Sequence, residues 1–111
     1  MPNRGDIVWI DFDPQSGHEQ AGRRPALILS DREYNKRSSL AVLCPITSQS
    51  KSYPFVVALP PKLLPKESYV LSDQVKSLDW RQRNTAHITK APAKALDEVT
   101  TFAVGILQGR R

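Results

Sequence analysis

Short apolar runs separated by polar or turn-forming residues dominate the chain. Residues 7–10, 26–29 and 40–46 are three of these runs, and each follows a proline or a polar residue. Apolar runs of this length are typical of buried β-strands. With their flanking residues, and with three further segments, they give six predicted strands: residues 7–10, 24–30, 40–46, 53–59, 69–76 (irregular, interrupted after residue 71) and 85–89.

The C-terminal segment has helical rather than strand periodicity. Pro92 suits the first turn of a helix, Gly109 suits its end, and apolar residues recur on one face. That predicted face consists of Leu96, Val99, Ala103, Ile106 and Leu107. Residues 31–36 predict one further helical turn, with Ser30 as its cap.

These elements predict a mainly β fold with a C-terminal α-helix. Five or six short strands and one helix favour a small, strongly bent antiparallel sheet or a partly open barrel. We expect residues 1–111 to form a single domain, since the chain contains no repeat and no low-complexity tract.

A long polar connection from Asp13 to Gly22 leads into the second predicted strand. Connections of this length are uncommon in a small domain unless they have a function. Pro25 favours an extended backbone at Arg24, which places a permanent cation where the loop meets the strand. His18 and Glu19 lie nearby in sequence, so an acid, a base and a cation adjoin one sheet edge, a combination suited to phosphate chemistry. A surface ion pair between Arg24 and Glu19 is the alternative.

The charge balance favours an anionic partner. The chain has 16 basic and 11 acidic residues, a net charge of +5 and a pI of about 9.7, which suits nucleic acid or an acidic protein segment. Its one cysteine, Cys44, cannot form an internal disulfide and is expected to be a small core residue. We expect a cytoplasmic protein without membrane contact, because no apolar run could span a bilayer and no signal peptide is evident.

No cofactor or metal motif is present in the sequence. It lacks a phosphate-binding glycine loop, and His18 and His87 are far apart in the chain. A nuclease built from it would use the RNA 2′-hydroxyl as nucleophile, and would need a base, an acid and positive charge on the phosphorane. The fork of the Arg24 guanidinium suits that charge, and Thr47 ends the third strand with a hydroxyl. Thr47 could equally cap the following turn.

An ordered set of motifs resembles the MazF/PemK (Kid) family of toxin endoribonucleases. The resemblance implies an SH3-like barrel with a C-terminal helix, of the CcdB/Kid/MazF-like toxin fold, that works as a homodimer. It extends from Gly5 to the final helix. The matching segments are Gly5–Trp9, Asp11–Pro14, Gly17–Gln20, Gly22–Pro25, Tyr34–Asn35, Cys44–Lys51, Tyr53–Phe55 and Ser72–Ser77.

The resemblance to the MazF-like branch implies that Arg24 and Thr47 are catalytic. Glu19 matches a functionally sensitive acid of the same branch. Because arginine rarely releases its proton, Glu19 or His18 is chemically the better general base, and the choice between them stays open.

The Kid/PemK-like branch implies a different set of supporting residues. His18 and Asp73 match residues proposed for catalysis there, but the arginine of that proposal falls at Leu71. This departure favours Arg24 and Thr47. Asp73 could equally be a carboxylate that stabilises a turn.

Substrate contacts are expected from polar turns and amide side chains. Tyr53 and Phe55 could stack bases, although alternating aromatic residues are more often core. The predicted RNA-binding residues are Gln20, Ser48, Gln49, Lys51, Gln74, Lys76 and Arg81.

The resemblance also implies a function and a partner. The function is a metal-independent, sequence-specific messenger-RNA endoribonuclease that leaves 2′,3′-cyclic phosphate and 5′-hydroxyl ends. The partner is a MazE-like antitoxin with an acidic, disordered tail. Two alternatives stay open: a non-enzymatic, CcdB-like toxin that binds gyrase, and a nucleic-acid-binding barrel module.

Overall fold

The computed structural model describes residues 1–12, 22–49 and 53–109. Within these ranges the chain forms seven strands and two helices. The strands are β1 (Asp6–Phe12), β2 (Gly22–Ile28), β3 (Leu40–Thr47), β4 (Val56–Ala58), β5 (Tyr69–Leu71), β6 (Lys76–Asp79) and β7 (Ala86–Lys90). The helices are α1 (Arg32–Ser38), between β2 and β3, and α2 (Ala93–Gln108), at the C-terminal end.

The strands form one bent antiparallel sheet. Its order is β4-β5-β3-β2-β1-β7, and β6 also pairs with β3. Among the described residues this path stays open, because β4 and β7 end it without pairing with each other. The predicted mainly β fold with a C-terminal helix is therefore confirmed, in the form of a strongly bent antiparallel sheet that does not close into a barrel within the described ranges.

The outer edge of β3 divides between two strands. Its first half pairs with β6, from Leu40 opposite Asp79 to Leu43 opposite Lys76, and its last residues pair with β5. The segment predicted as one irregular strand is thus two strands joined by a turn that begins at Ser72. The opposite edge of β3 pairs with β2, so β3 organises the sheet.

Alternate residues of the central strands enter two separate hydrophobic clusters. Leu27 and Cys44 belong to the cluster against which α2 packs through Ala95 and Val99. Their neighbours enter the other cluster, as alternation along a strand requires. The predicted helix face is correct at Val99 and wrong at Leu107, which is 79% exposed, because packing against the α2-facing cluster ends before the last helical turn.

The short helix α1 is tied to the sheet by polar contacts. Its N-cap is Asp31 rather than the predicted Ser30: Asp31 Oδ1 accepts a hydrogen bond from the Tyr34 amide at 2.9 Å. The Ser30 hydroxyl instead accepts from the Val42 amide at 2.8 Å and donates to Asn35. Neither described helix is long and apolar enough to cross a membrane.

Candidate active site

Arg24 lies in β2, opposite Ile10 of β1, and its side chain is half-buried. The neighbouring Arg23 has a structural role. Its Nη1 lies 3.3 Å from Asp11 Oδ1 and donates to the Asn84 carbonyl at 2.6 Å. Because adjacent strand residues point to opposite faces, Arg24 is directed away from these contacts.

Thr47 is the last residue of β3 and is 8% exposed. Its Oγ1 accepts a hydrogen bond from the Gln49 amide at 3.2 Å, so the turn-capping alternative is observed. A hydroxyl that accepts one bond still has its proton to donate. Turn capping and a substrate contact are therefore compatible at Thr47.

The register of β2 and β3 directs Arg24 and Thr47 to the same end of the sheet. The two strands pair from Ile28 opposite Leu43 to Ala26 opposite Pro45. Continued by two residues, this register would bring Arg24 opposite Thr47. The observed β2–β3 pairing ends at Ala26 and Pro45, two residues before that point.

A cavity of about 390 Å³ opens at this end of the sheet, with Pro25, Thr47 and Ser48 in its wall. Trp9 of β1 and residues 64–66 complete much of the lining. Sequence reasoning missed these last contributors. Paired leucines inside a segment with three prolines were the available signal, and Leu64 is buried.

Four of the predicted site residues cannot be placed. His18, Glu19 and Gln20 fall within residues 13–21, and Lys51 within residues 50–52, both outside the described residues. Ser48 and Gln49 are exposed and directly follow Thr47.

Asp73 occupies the turn between β5 and β6 and is engaged with Tyr53. Its Oδ2 accepts a hydrogen bond from the Tyr53 hydroxyl, while its buried Oδ1 has no hydrogen-bond partner among the described residues. The Gln74 side chain also hydrogen-bonds the Tyr53 hydroxyl. The bond to Asp73, then burial and the Asp73 charge, raise the pKa of Tyr53, and the Gln74 contact partly offsets them.

The same turn lies against Cys44, which is fully buried as expected. Cys44 Sγ is 3.9 Å from the Ser72 carbonyl oxygen. Burial, followed by the negative charge of Asp73, raises the pKa of Cys44 to about 12. The thiol is therefore protonated at neutral pH and has no nucleophilic role.

Two of the residues predicted to bind RNA, Lys76 and Arg81, lie away from Thr47 in the fold. Lys76 begins β6 opposite Leu43, and Arg81 follows β6 beyond the other end of β3. The Arg81 guanidinium lies 4.4 Å from the Trp80 ring centroid and donates to the Lys36 carbonyl at 3.2 Å. The described residues contain no cluster of three or more His, Cys, Asp or Glu side chains able to hold a metal ion.

Comparison of the fold with solved structures finds close matches. MazF from Deinococcus radiodurans superposes with a TM-score of 0.88 at 48% identity, covering 97% of this chain and 96% of that chain. A MazE–MazF structure from the same organism gives a TM-score of 0.83 at 47% identity, covering 99% of this chain and 97% of that chain.

Sequence comparison agrees with the structural comparison. The endoribonuclease toxin MazF of Escherichia coli strain K12 is 46% identical over 93 residues, which are 83% of this chain and 82% of that protein. The endoribonuclease PemK of Escherichia coli is 31% identical over 99 residues, covering 86% of this chain and 74% of that protein. The sequence profile of the PemK-like, MazF-like toxins matches residues 3–103. This chain therefore belongs to the PemK-like, MazF-like toxin family of type II toxin–antitoxin systems.

Proposed function

We propose that this chain is an endoribonuclease toxin that cleaves single-stranded RNA with Arg24, Thr47 and Glu19. Relatives that match most of the chain are endoribonucleases. The observation that carries the assignment is the β2–β3 register, which, continued by two residues, brings Arg24 level with Thr47 at one end of the sheet. A cation and a hydroxyl at the same end of a sheet suit binding of a phosphodiester.

The proposed chemistry is attack of the ribose 2′-hydroxyl on the adjacent phosphorus. Arg24 stabilises the charge that develops on the phosphorane, and the Thr47 hydroxyl donates to one of its oxygens. Glu19 or His18 takes the 2′-hydroxyl proton, because both accept protons far more readily than arginine. The bond between phosphorus and the 5′-oxygen breaks and the departing oxygen takes up a proton from solvent, which leaves a 2′,3′-cyclic phosphate and a 5′-hydroxyl. No metal ion takes part.

Substrate binding is proposed to extend from Thr47 along the exposed polar residues Ser48 and Gln49. Gln20 and Lys51, which lie outside the described residues, remain candidates. Gln74 is a weaker candidate because its side chain bonds Tyr53. Lys76 and Arg81 could contact only a substrate that continues along β3, since they lie toward its other end.

We also propose that the toxin is a cytoplasmic homodimer that a MazE-like antitoxin neutralises. A solved complex of a Deinococcus radiodurans relative contains MazE with MazF. The net charge of +5 suits an antitoxin with an acidic, disordered tail. An RNA substrate and such an antitoxin would compete for one basic surface.

The direct test is incubation of the purified protein with a long RNA in EDTA. We expect discrete fragments with 2′,3′-cyclic phosphate and 5′-hydroxyl ends. Arg24→Ala should slow cleavage by at least about 100-fold, the scale of one lost charge-stabilising donor. Arg32→Ala, which removes an exposed arginine of α1, is the matched control and should cleave at the wild-type rate.

Two outcomes would change the assignment. Intact RNA would favour the gyrase-binding or nucleic-acid-binding alternative. Activity of Arg24→Ala within a few-fold of wild type would remove Arg24 from the mechanism. Mapping the cut sites would also define the recognition sequence.

A further inference from the structure

Three hydrogen bonds fasten residues 53–55 to the turn that follows β5. The Tyr53 hydroxyl donates to Asp73 Oδ2. The Phe55 carbonyl accepts twice from Ser72, from its amide at 3.0 Å and from its hydroxyl at 2.7 Å. The Tyr53 and Phe55 rings also meet edge to face, with centroids 6.2 Å apart. We call these four residues the Tyr53 clamp.

The position of Asp73 is unsuited to a general base at the proposed scissile phosphate. The β3–β5 register pairs Thr47 with Tyr69 and Ile46 with Val70, so Asp73 falls near the level of Cys44. At about 3.3 Å per strand residue, this level is about 10 Å from Thr47. One carboxylate oxygen is occupied by Tyr53 and the other is buried, so neither is presented to a 2′-hydroxyl.

The clamp is nevertheless connected to the site through a short stretch of chain. Only residues 48–52 separate Thr47 from Tyr53, so the position of Tyr53 limits the positions open to Ser48 and Gln49. The other end of this stretch is fixed by Thr47, which pairs with Tyr69 and binds the Gln49 amide. Loss of the Tyr53–Asp73 bond would remove the restraint on the Tyr53 side chain and leave the contacts of Thr47 in place.

We infer that Asp73 is a positioning residue, not a catalytic base: by holding Tyr53 it limits the positions open to Ser48 and Gln49, which lie a few residues away along the chain and are proposed to contact RNA. This inference rests on the proposed function, because its effect is on RNA binding and cleavage. Under this inference, groups other than Asp73 carry out the acid–base chemistry, and Tyr53 restrains the chain instead of stacking on a base. Side chains with fewer accessible positions bind with a smaller entropy cost, so the clamp should act mainly on KM.

Three substitutions separate positioning from proton transfer. Asp73→Asn keeps an oxygen that can accept from Tyr53 but removes a group able to act as base. Tyr53→Phe removes the hydroxyl and keeps the ring, and Asp73→Ala removes the acceptor. Tyr34→Phe, which removes a hydroxyl on α1, is the matched control.

The measurement is steady-state cleavage of one defined RNA by each variant across a range of pH, which gives KM, kcat and their pH dependence. Tyr53→Phe and Asp73→Ala should each raise KM about tenfold, the scale of one hydrogen bond to a charged group, with kcat within a few-fold of wild type. Their double variant should be no worse than either single variant, since both break the same contact. Asp73→Asn should give the smallest rise in KM and should keep the acidic limb of the pH profile.

A second measurement tests the clamp without catalysis. The tyrosinate absorbance of wild type minus that of Tyr53→Phe isolates the titration of Tyr53. Because the bond to Asp73 is the largest cause of the raised pKa of Tyr53, Asp73→Ala should lower that pKa. Titration of Tyr53 at the same pH in both proteins would overturn the clamp itself.

The kinetic outcomes that overturn the inference are distinct. A fall in kcat of more than about 100-fold in Asp73→Asn, with loss of the acidic limb, would make Asp73 the base. An unchanged KM in Tyr53→Phe would remove the positioning role. Wild-type protein that leaves RNA intact would refute the proposed function and this inference together, whereas active wild type with indifferent variants would refute this inference alone.

Discussion

Replacement of Asn35 should strongly destabilise the fold, although Asn35 lies outside the active site. Its side chain is fully buried in α1. Nδ2 donates to the Pro2 carbonyl at 2.9 Å and to the Ser30 carbonyl at 3.1 Å, and Oδ1 accepts from the Ser30 hydroxyl at 2.5 Å. Asn35→Ala deletes three hydrogen bonds and leaves two buried carbonyl groups without these donors. At about 1 kcal/mol each, the loss in the free energy of unfolding is about 3 kcal/mol.

Urea unfolding measures this loss. With an m-value of about 2 kcal/mol per molar urea, the midpoint should fall by about 1.5 M. Tryptophan fluorescence is a suitable probe, because the Trp80 indole donates to the Asn35 carbonyl at 2.9 Å. Asn35→Asp has nearly the same shape but loses both amide donors, so it separates hydrogen bonding from the cavity. Gln82→Ala, in an exposed turn, is the control.

If Asn35→Asp unfolds at the same urea concentration as wild type, the carbonyl groups of Pro2 and Ser30 must find other donors at no cost, and the predicted loss of stability is refuted. Destabilisation in Asn35→Ala alone would assign the effect to the cavity.

Three other predictions follow from the charged and titratable groups. The pKa of about 12 at Cys44 means that at pH 9 about one folded thiol in a thousand is ionised, against half in the unfolded chain. Thiol alkylation at pH 9 should therefore be about 500 times slower in the native protein, and the free energy of unfolding should fall as pH rises above 9 in wild type but less in Cys44→Ala. RNA affinity should fall with salt, with a log–log slope of about −0.7 per neutralised phosphate, and a flat anisotropy titration would exclude phosphate contacts. Arg23→Ala should cost about 1 kcal/mol or less in unfolding free energy, since its ion pair with Asp11 is partly exposed, and cleavage should stay within a few-fold of wild type.

Local pattern was enough to predict most elements but not how they pair. The apolar runs predicted β1, β2 and β3 because those strands are largely buried, and four-residue spacing predicted α2. The divided edge of β3 was missed, since it depends on residues 69–79 pairing with a strand about thirty residues earlier. Leu107 was misplaced for the same reason: helical spacing tells which residues share a face, but not where the sheet beneath it ends.

For the candidate site too, local sequence indicated the residues, whereas their placement depends on pairing between strands that are distant in the chain. The sequence indicated Arg24 through Pro25 and the loop before it, and Thr47 through its place after an apolar run. The placement of Arg24 and Thr47 at the same end of the sheet depends on the β2–β3 register, in which Ala26 pairs with Pro45. Trp9 and residues 64–66 reach the cavity from distant parts of the chain, and the paired leucines at residues 63–64 were a local sign of burial but not of this cavity.

Alternation along β2 explains how two adjacent arginines can have different roles. Arg23 lies over the Trp9 ring, 6.0 Å from its centroid, and its contacts with Asp11 and the Asn84 carbonyl join β2 to β1 and to the turn before β7. Arg24 points to the other side of the strand, so the phosphate contact proposed for it would leave that junction intact. Moving the second arginine by one residue would keep the charge but direct the guanidinium to the opposite face of β2. The proposed mechanism therefore requires an arginine at position 24, and not only the same number of arginines.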